Sequence, residues 1–329
     1  TIRNLVLFKK NERCDSLLLK ETERLIRSQR YIREVVVIPV PVATASDSVD
    51  IKIRVLDSWT LIPNGSLSGN QSSVKLTERN ILGFGHQISG EIENKFTPKV
   101  QAIFAQYSVS NIKNSFVRLD LDYSNEYNND SRRSLAINRP FYSVVARNAG
   151  GFQIENRRYT EFFPVADTLI GVPTKYEYVD YWYGHAFKIN GENTFDQKTT
   201  NLILAYSYNR KAYLLDPGIL FDETNFFATE KNSIGYIGIS KQRFYQDKFI
   251  FNYEITEDIP YGENMALILG YQNKADRSRW YSGISISKGK KYTFGYLSTF
   301  MEWGSFYTKG VTEQTAFKVG FNYFSPLLY

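Results

Sequence analysis

Cysteine, methionine and histidine are scarce in this chain, and long apolar runs are missing. Of 329 residues, one is cysteine, two are methionine and two are histidine. A lone Cys14 forms no intrachain disulfide, so pairing says nothing of the redox compartment, and the thiol reads as an inert packed group. With only His86 and His185, the choice of general base for a hydrolase is narrow, and a His/Cys metal cluster cannot be assembled. No window approaches the ~18 to 20 consecutive apolar residues of a membrane-spanning helix, and mean hydropathy is −0.35. That excludes a helical membrane protein. It leaves a β-barrel open, because barrel strands show lipid only at every second residue. A basic block is also lacking. The 40 Lys and Arg against 34 Asp and Glu, net +6, are spread along the chain, which reads as solvated loops and a polar interior, not a nucleic-acid surface. The chain opens on Thr1 with neither Met nor a secretory leader and is taken as a mature form or an excerpt.

What the chain has in excess is aromatic rings: 16% of residues, with 24 Tyr and 23 Phe. Amphipathic rings gather where one end of a side chain is apolar and the other wet, as at the two interfaces of a membrane. An all-β soluble protein also favours them.

Two kinds of segment follow one another. Asp15 or Ser16 can cap a helix of about three turns whose apolar positions Leu18, Leu25 and Ile26 share a face, with Glu21 and Glu23 early and Arg27 late. Tyr31 to Val42 then reads as a strand rich in Val and Ile, Ala43 to Ser48 as a small polar turn, and Val49 to Val55 as a strand with alternating Asp50, Lys52 and Arg54. A helix packed on such strands makes a small α+β layer, residues 1–57. From Trp59 the period is two to the end. Segments of about ten residues are separated by Asn, Asp, Gly, Ser and Lys clusters, giving about 14 strands over residues 58–329.

The alternation is clearest from Phe116 to Asn125, where Val117, Leu119, Leu121 and Tyr123 oppose Arg118, Asp120 and Asp122. The same pattern recurs at Ile103 to Val109, at Phe249 to Ile255 and at Phe317 to Tyr323. One face suits lipid and the other water. A soluble sandwich alternates too, but it hides its apolar face between two sheets. The expected fold is therefore mostly β: a transmembrane antiparallel barrel of 14–16 strands with a small N-terminal α+β domain.

Two stretches carry a resemblance. Glu21-Thr22-Glu23-Arg24-Leu25-Ile26-Arg27-Ser28-Gln29-Arg30-Tyr31-Ile32 is similar to the helix-to-strand passage of a POTRA domain. Leu76-Thr77-Glu78-Arg79-Asn80-Ile81-Leu82-Gly83-Phe84-Gly85 looks like the link between the first two barrel strands in the Omp85 superfamily. Asp57-Ser58-Trp59, Glu257 to Gly262 and Gly270-Tyr271 resemble BamA/TamA-like members from Bacteroidetes. The resemblance implies a periplasmic POTRA-like domain before an outer-membrane barrel. It further implies insertion or translocation of unfolded outer-membrane or secreted polypeptides, with lipid and accessory periplasmic or lipoprotein subunits as partners. The family's Arg-Gly-Phe or Arg-Gly-Tyr lid tripeptide is absent; Gln242-Arg243-Phe244-Tyr245 is the nearest text, so Arg243 and Phe244 stand as its counterpart. A family barrel has 16 strands, so the chain is expected to be an excerpt that stops short of that count.

Within this reading the first strand, about Trp59 to Gly69, carries Pro63, Gly65 and Gly69. Weak pairing there makes a seam that opens sideways; a plain turn between module and barrel accounts for the same residues equally well. Arg118, Asp120 and Asp122 are expected to form a charge network in the lumen rather than a cation site. Gly83 and Gly85 precede a strand, not a helix, which rejects a phosphate-binding loop. No catalytic residue, cofactor or metal is expected. Two other readings stay open: a secretion channel for one dedicated partner protein, and a passive pore or ligand-binding barrel.

Overall fold

A computed structural model describes residues 2–43, 45–189, 198–275 and 277–326. The chain divides into two compact units, residues 1–142 and 143–329.

The first unit begins with the helix α1, Ser16–Arg27. Asp15 is its cap: the carboxylate accepts from Leu17 N at 2.8 Å, satisfying one of the amides that a helix start leaves without a partner. Antiparallel strands β1 (Ile32–Val42) and β2 (Ala45–Asp57) follow. The turn between them is shorter than the polar run Ala43 to Ser48 suggests, because the ladder continues to Val42 opposite Ala45. Ile26 is fully buried, among Leu5, Leu25, Tyr31, Ile32 and Val35; burying one such side chain contributes about 2–3 kcal/mol. Two helix side chains tie this layer together through backbone amides. Thr22 Oγ1 accepts from Leu7 N and Glu23 Oε2 from Val37 N, both at 3.1 Å. Glu23 also pairs with Arg27 one turn on. Cys14 is exposed, contrary to the packed thiol expected of it; it lies just before the helix cap.

The unit continues as an antiparallel meander of β3 (Leu61–Leu67), β4 (Gln71–Glu78), β5 (His86–Phe96), β6 (Lys99–Val109), β7 (Arg118–Asn125) and β8 (Ser131–Arg139). Three expectations change here. The first strand is shorter than Trp59 to Gly69, since Gly69 lies in the hairpin bend to β4. The stretch Leu76 to Gly85 accordingly links the second and third strands of the meander. And β7 starts at Arg118, because Phe116 has φ of +57° and turns inward to stack on Tyr142, ring centroids 3.8 Å apart.

The second unit is a meander of longer strands: β9 (Asn148–Val165), β10 (Thr168–Lys188), β11 (Thr200–Leu215), β12 (Glu230–Lys248), β13 (Thr256–Lys274), β14 (Arg277–Tyr292), β15 (Gly295–Thr308) and β16 (Val311–Phe324). Each is antiparallel to the next. From Leu61 on, the described residues thus hold fourteen strands, in line with the expected count but by a cancellation. The strand β4 was not foreseen, and the alternating run Phe249 to Ile255 is the link between β12 and β13, not a strand. Phe249 and Glu254 there have φ of +62° and +57°. The Glu257 carboxylate accepts from the amides of Ile250 and Phe251 at 3.0 Å, using donors that a ladder would need. α1 is the one α-helix among the described residues, and no helix there is long and apolar enough to cross a membrane.

Candidate functional site

Strand alternation gives the second unit two chemically distinct faces. On one, Ile237, Leu267, Ile284, Trp303 and Phe317 lie opposite one another across five consecutive strands. The adjoining row on that face is Ile239, Met265, Ile286, Met301 and Val319. These rows are open to the surroundings: Ile237 is 49% exposed, Met265 57%, Phe317 64% and Val319 62%. The period of two puts apolar side chains on one face, and the in-register pairing aligns them into a continuous surface. One rim of the band is aromatic, with Tyr271 edge-on to Trp280 at 4.9 Å. At β13 and β14 the other rim is charged, where Glu263 and Lys288 pair at 2.7 Å. Eight positions along β13 separate Tyr271 from Glu263, which is ~27 Å of strand, or ~21 Å of height at a strand tilt of ~40°.

The opposite face is polar. Tyr176 donates to Glu155 at 2.7 Å, Ser207 to Asp180 at 3.1 Å and Asn232 to Asn209 at 2.8 Å, while Lys211 Nζ lies 4.3 Å from the centre of the Tyr176 ring. The segment between β11 and β12 folds onto the end of this face. Asp222 accepts from Phe227 N at 2.8 Å, and the buried Phe227 ring meets Tyr213 at 5.4 Å and Phe163 at 6.1 Å. Sequence reading missed this segment. Its signal was a break in alternation from Asp216-Pro217-Gly218 to Phe226-Phe227.

In the first unit, spacing i, i+2 places Arg118, Asp120 and Asp122 on one face of β7. Arg118 grips Asp120 with two hydrogen bonds, 2.6 and 2.9 Å. Asp120 accepts from Ser108 at 2.5 Å, and Asp122 from Gln106 at 2.8 Å and Ser134 at 2.9 Å. The carboxylate oxygens are thus occupied by side chains of β6, β7 and β8, with Arg118–Asp120 as the ion pair and neutral donors on Asp122. Among the described residues, no group of three or more His, Cys, Asp or Glu is placed to hold a metal ion.

Along β3, Pro63 pairs opposite Leu76 and Gly65 opposite Val74, so both belong to a strand and not to a turn. Trp59 precedes it, exposed, its indole N–H donating to Leu61 O. Arg243 and Phe244 are not on a loop: they stand inside β12, opposite Tyr261 and Pro260, and Arg243 Nε reaches Thr199 Oγ1 at 3.5 Å. His86 Nδ1 shares a hydrogen bond with Tyr107 OH, and His185 Nδ1 with Asn148 Oδ1, both at 2.7 Å.

The first unit also has an open cavity of about 310 Å³ between the end of α1, the bends before β5 and β7, and the segment after β8. Arg24, Arg30, Arg79 and Arg118 line it, with Phe116 and Tyr142 as an apolar wall. Arg24 pairs with Glu21 at 2.8 Å and donates to Tyr142 O at 2.7 Å. Arg30 donates to the neutral Gln87 at 3.1 Å. Nearby, burial raises the pKa of Tyr31 above the ordinary tyrosine value, helped by the negative charge of Asp57.

No protein-family model matches this sequence, and no curated protein matches it. Among solved structures, the chain is similar to BamA from Haemophilus ducreyi lacking POTRA domains 1–3. Identity is 11%, the TM-score is 0.34, and the match covers 98% of this chain and 81% of that one. At that score the likeness decides nothing about this chain.

Proposed function

We propose that the chain is an outer-membrane β-barrel protein that inserts or translocates polypeptides, with residues 1–57 as a periplasmic POTRA-like module. The observation that carries the membrane reading is the pair of exposed apolar rows across β12 to β16. A water-soluble protein rarely leaves so continuous an apolar surface uncovered, whereas lipid covers it at no cost and the polar face then lines the interior.

Insertion is supported by the weakness of β3. It is seven residues long and ends the strand order, Pro63 has no N–H to give to a strand beside it, and Gly65 adds flexibility without packing. Such a strand releases its edge easily, and an open edge accepts a client strand through main-chain hydrogen bonds. The apolar band, ~21 Å high against the ~25 Å usual for such barrels, thins the adjoining bilayer and lowers the barrier to client entry. The outer edge of β2 serves as a first contact for an extended client or an accessory subunit, since Glu23 and two prolines occupy that of β1. No covalent bond is made or broken, so the protein is not an enzyme and needs no cofactor.

The test is reconstitution of the full chain into liposomes, with the folding rate of a urea-denatured outer-membrane barrel as readout. Folding faster than in empty liposomes, slowed when Pro63→Val and Gly65→Val are combined, is the expected result. Client folding no faster than in empty liposomes, together with free passage of small solutes, would make the chain a passive pore.

A further inference from the structure

Four arginines line the cavity of the first unit, and they are answered by anions unequally. Arg24 has Glu21 and Arg118 has Asp120. Arg30 makes its bond to Gln87, which carries no charge. The side chain of Arg79 has no carboxylate partner among the described residues; only its backbone amide is engaged, donating to Thr60 O. Two of the four arginines lining the cavity therefore have no carboxylate partner among the described residues. The chain brings them there from different elements: Arg30 from the turn after α1, Arg79 from the link after β4.

From this we infer that the cavity binds a phosphate group. A guanidinium presents a planar fork of donors that matches phosphate oxygens two at a time, and Arg30 and Arg79 together can neutralise one to two negative charges. At about 310 Å³ the space equals roughly ten water molecules at ~30 Å³ each, enough for a phosphate with its bridging waters or for a phosphodiester with part of a glycerol. The flat wall of Phe116 stacked on Tyr142 excludes water on one side and so strengthens charge interactions within. A free phosphate ion and the headgroup of an anionic phospholipid offer the same chemistry. This site stands apart from the insertion reading: it requires neither an open β3 edge nor a client.

The experiment is calorimetric titration of the full chain, folded in a non-ionic detergent, with inorganic phosphate and separately with a short-chain phosphatidylglycerol. Saturable binding is expected, weakened about tenfold by Arg30→Gln and about tenfold by Arg79→Gln, and partly restored by lysine at either position. Arg33→Gln, an exposed charge removed from β1, leaves it unchanged. Tighter binding of the lipid than of phosphate identifies a headgroup as the source; binding of phosphate alone identifies the free ion. No saturable binding of either probe, or binding that survives both arginine substitutions, overturns the assignment. Arg30 is exposed, so Arg30→Gln keeps the test decisive even if Arg79→Gln fails to fold.

Discussion

Replacing Leu267 by arginine tests whether the apolar rows face lipid. Leu267 stands four positions from Tyr271 and four from Glu263 on β13, hence ~10 Å below either rim at the strand rise and tilt used above. It is flanked by Ile237 and Ile284 in the same row, which leaves a guanidinium no polar partner at that depth. In a bilayer the charge at mid-depth costs about 2–4 kcal/mol, while arginine at the rim position Tyr271 costs about 0–1 kcal/mol. A 3 kcal/mol penalty shifts the folding equilibrium by roughly two orders of magnitude. The assay is reversible guanidinium unfolding in phosphatidylcholine vesicles, followed by tryptophan fluorescence, comparing wild type, Leu267→Arg and Tyr271→Arg. On an ordinary water-exposed face both substitutions would stay within about 0.5 kcal/mol of wild type. Two variants of equal stability, or a rim variant worse than the central one, would refute a membrane-facing band.

Three further outcomes are expected. At Gly262, φ is +136° and an added Cβ would meet Lys241 O; Gly262→Ala should destabilise the second unit by about 1–3 kcal/mol, read as a lower guanidinium midpoint at unchanged slope. Tyr31 has its pKa raised in the folded chain. Its neutral ring therefore stabilises fully below the ordinary tyrosine value of ~10, and that contribution is lost as pH climbs through the higher folded value. Stability measured from pH 9 to 12 should accordingly fall more steeply in wild type than in Tyr31→Phe, and equal slopes would contradict it. Ile26→Ala, at the centre of the N-terminal core, should cost about 2–5 kcal/mol, seen as loss of helical circular dichroism at lower urea.

Much of the secondary structure was legible because it rests on local rules. Asp15 before an apolar stripe announces α1, since a carboxylate reaches its own helix's amides over two residues. Phe317 to Tyr323 announces β16, since a strand turns every second side chain to the same face. The same rules mislead where the local signal is thin or overridden. In β4 only Val74 and Leu76 mark the apolar face among Ser, Thr, Lys and Gln, so no strand was seen there. Phe249 to Ile255 alternates cleanly, yet Glu257 captures its amides and two positive-φ residues bend it.

The site-level arrangement lay further from reach. That Asp120 and Asp122 share a face follows from spacing, but the partners that occupy them, Ser108, Gln106 and Ser134, come from strands whose register no local pattern states. The same holds for Phe227 against Tyr213 and for the four arginines around one cavity, at positions 24, 30, 79 and 118. Sequence alone determined the period of two, the N-terminal helix and the division of most strands into an apolar and a polar face, because periodicity and capping act over a few neighbouring residues. Tertiary structure alone decided which apolar residues align into a continuous band, which segment folds onto the polar face, and where positive charge is left unanswered. Those depend on strand register and chain return over tens of residues, where the free energy of pairing is shared among many contacts and no single residue announces it.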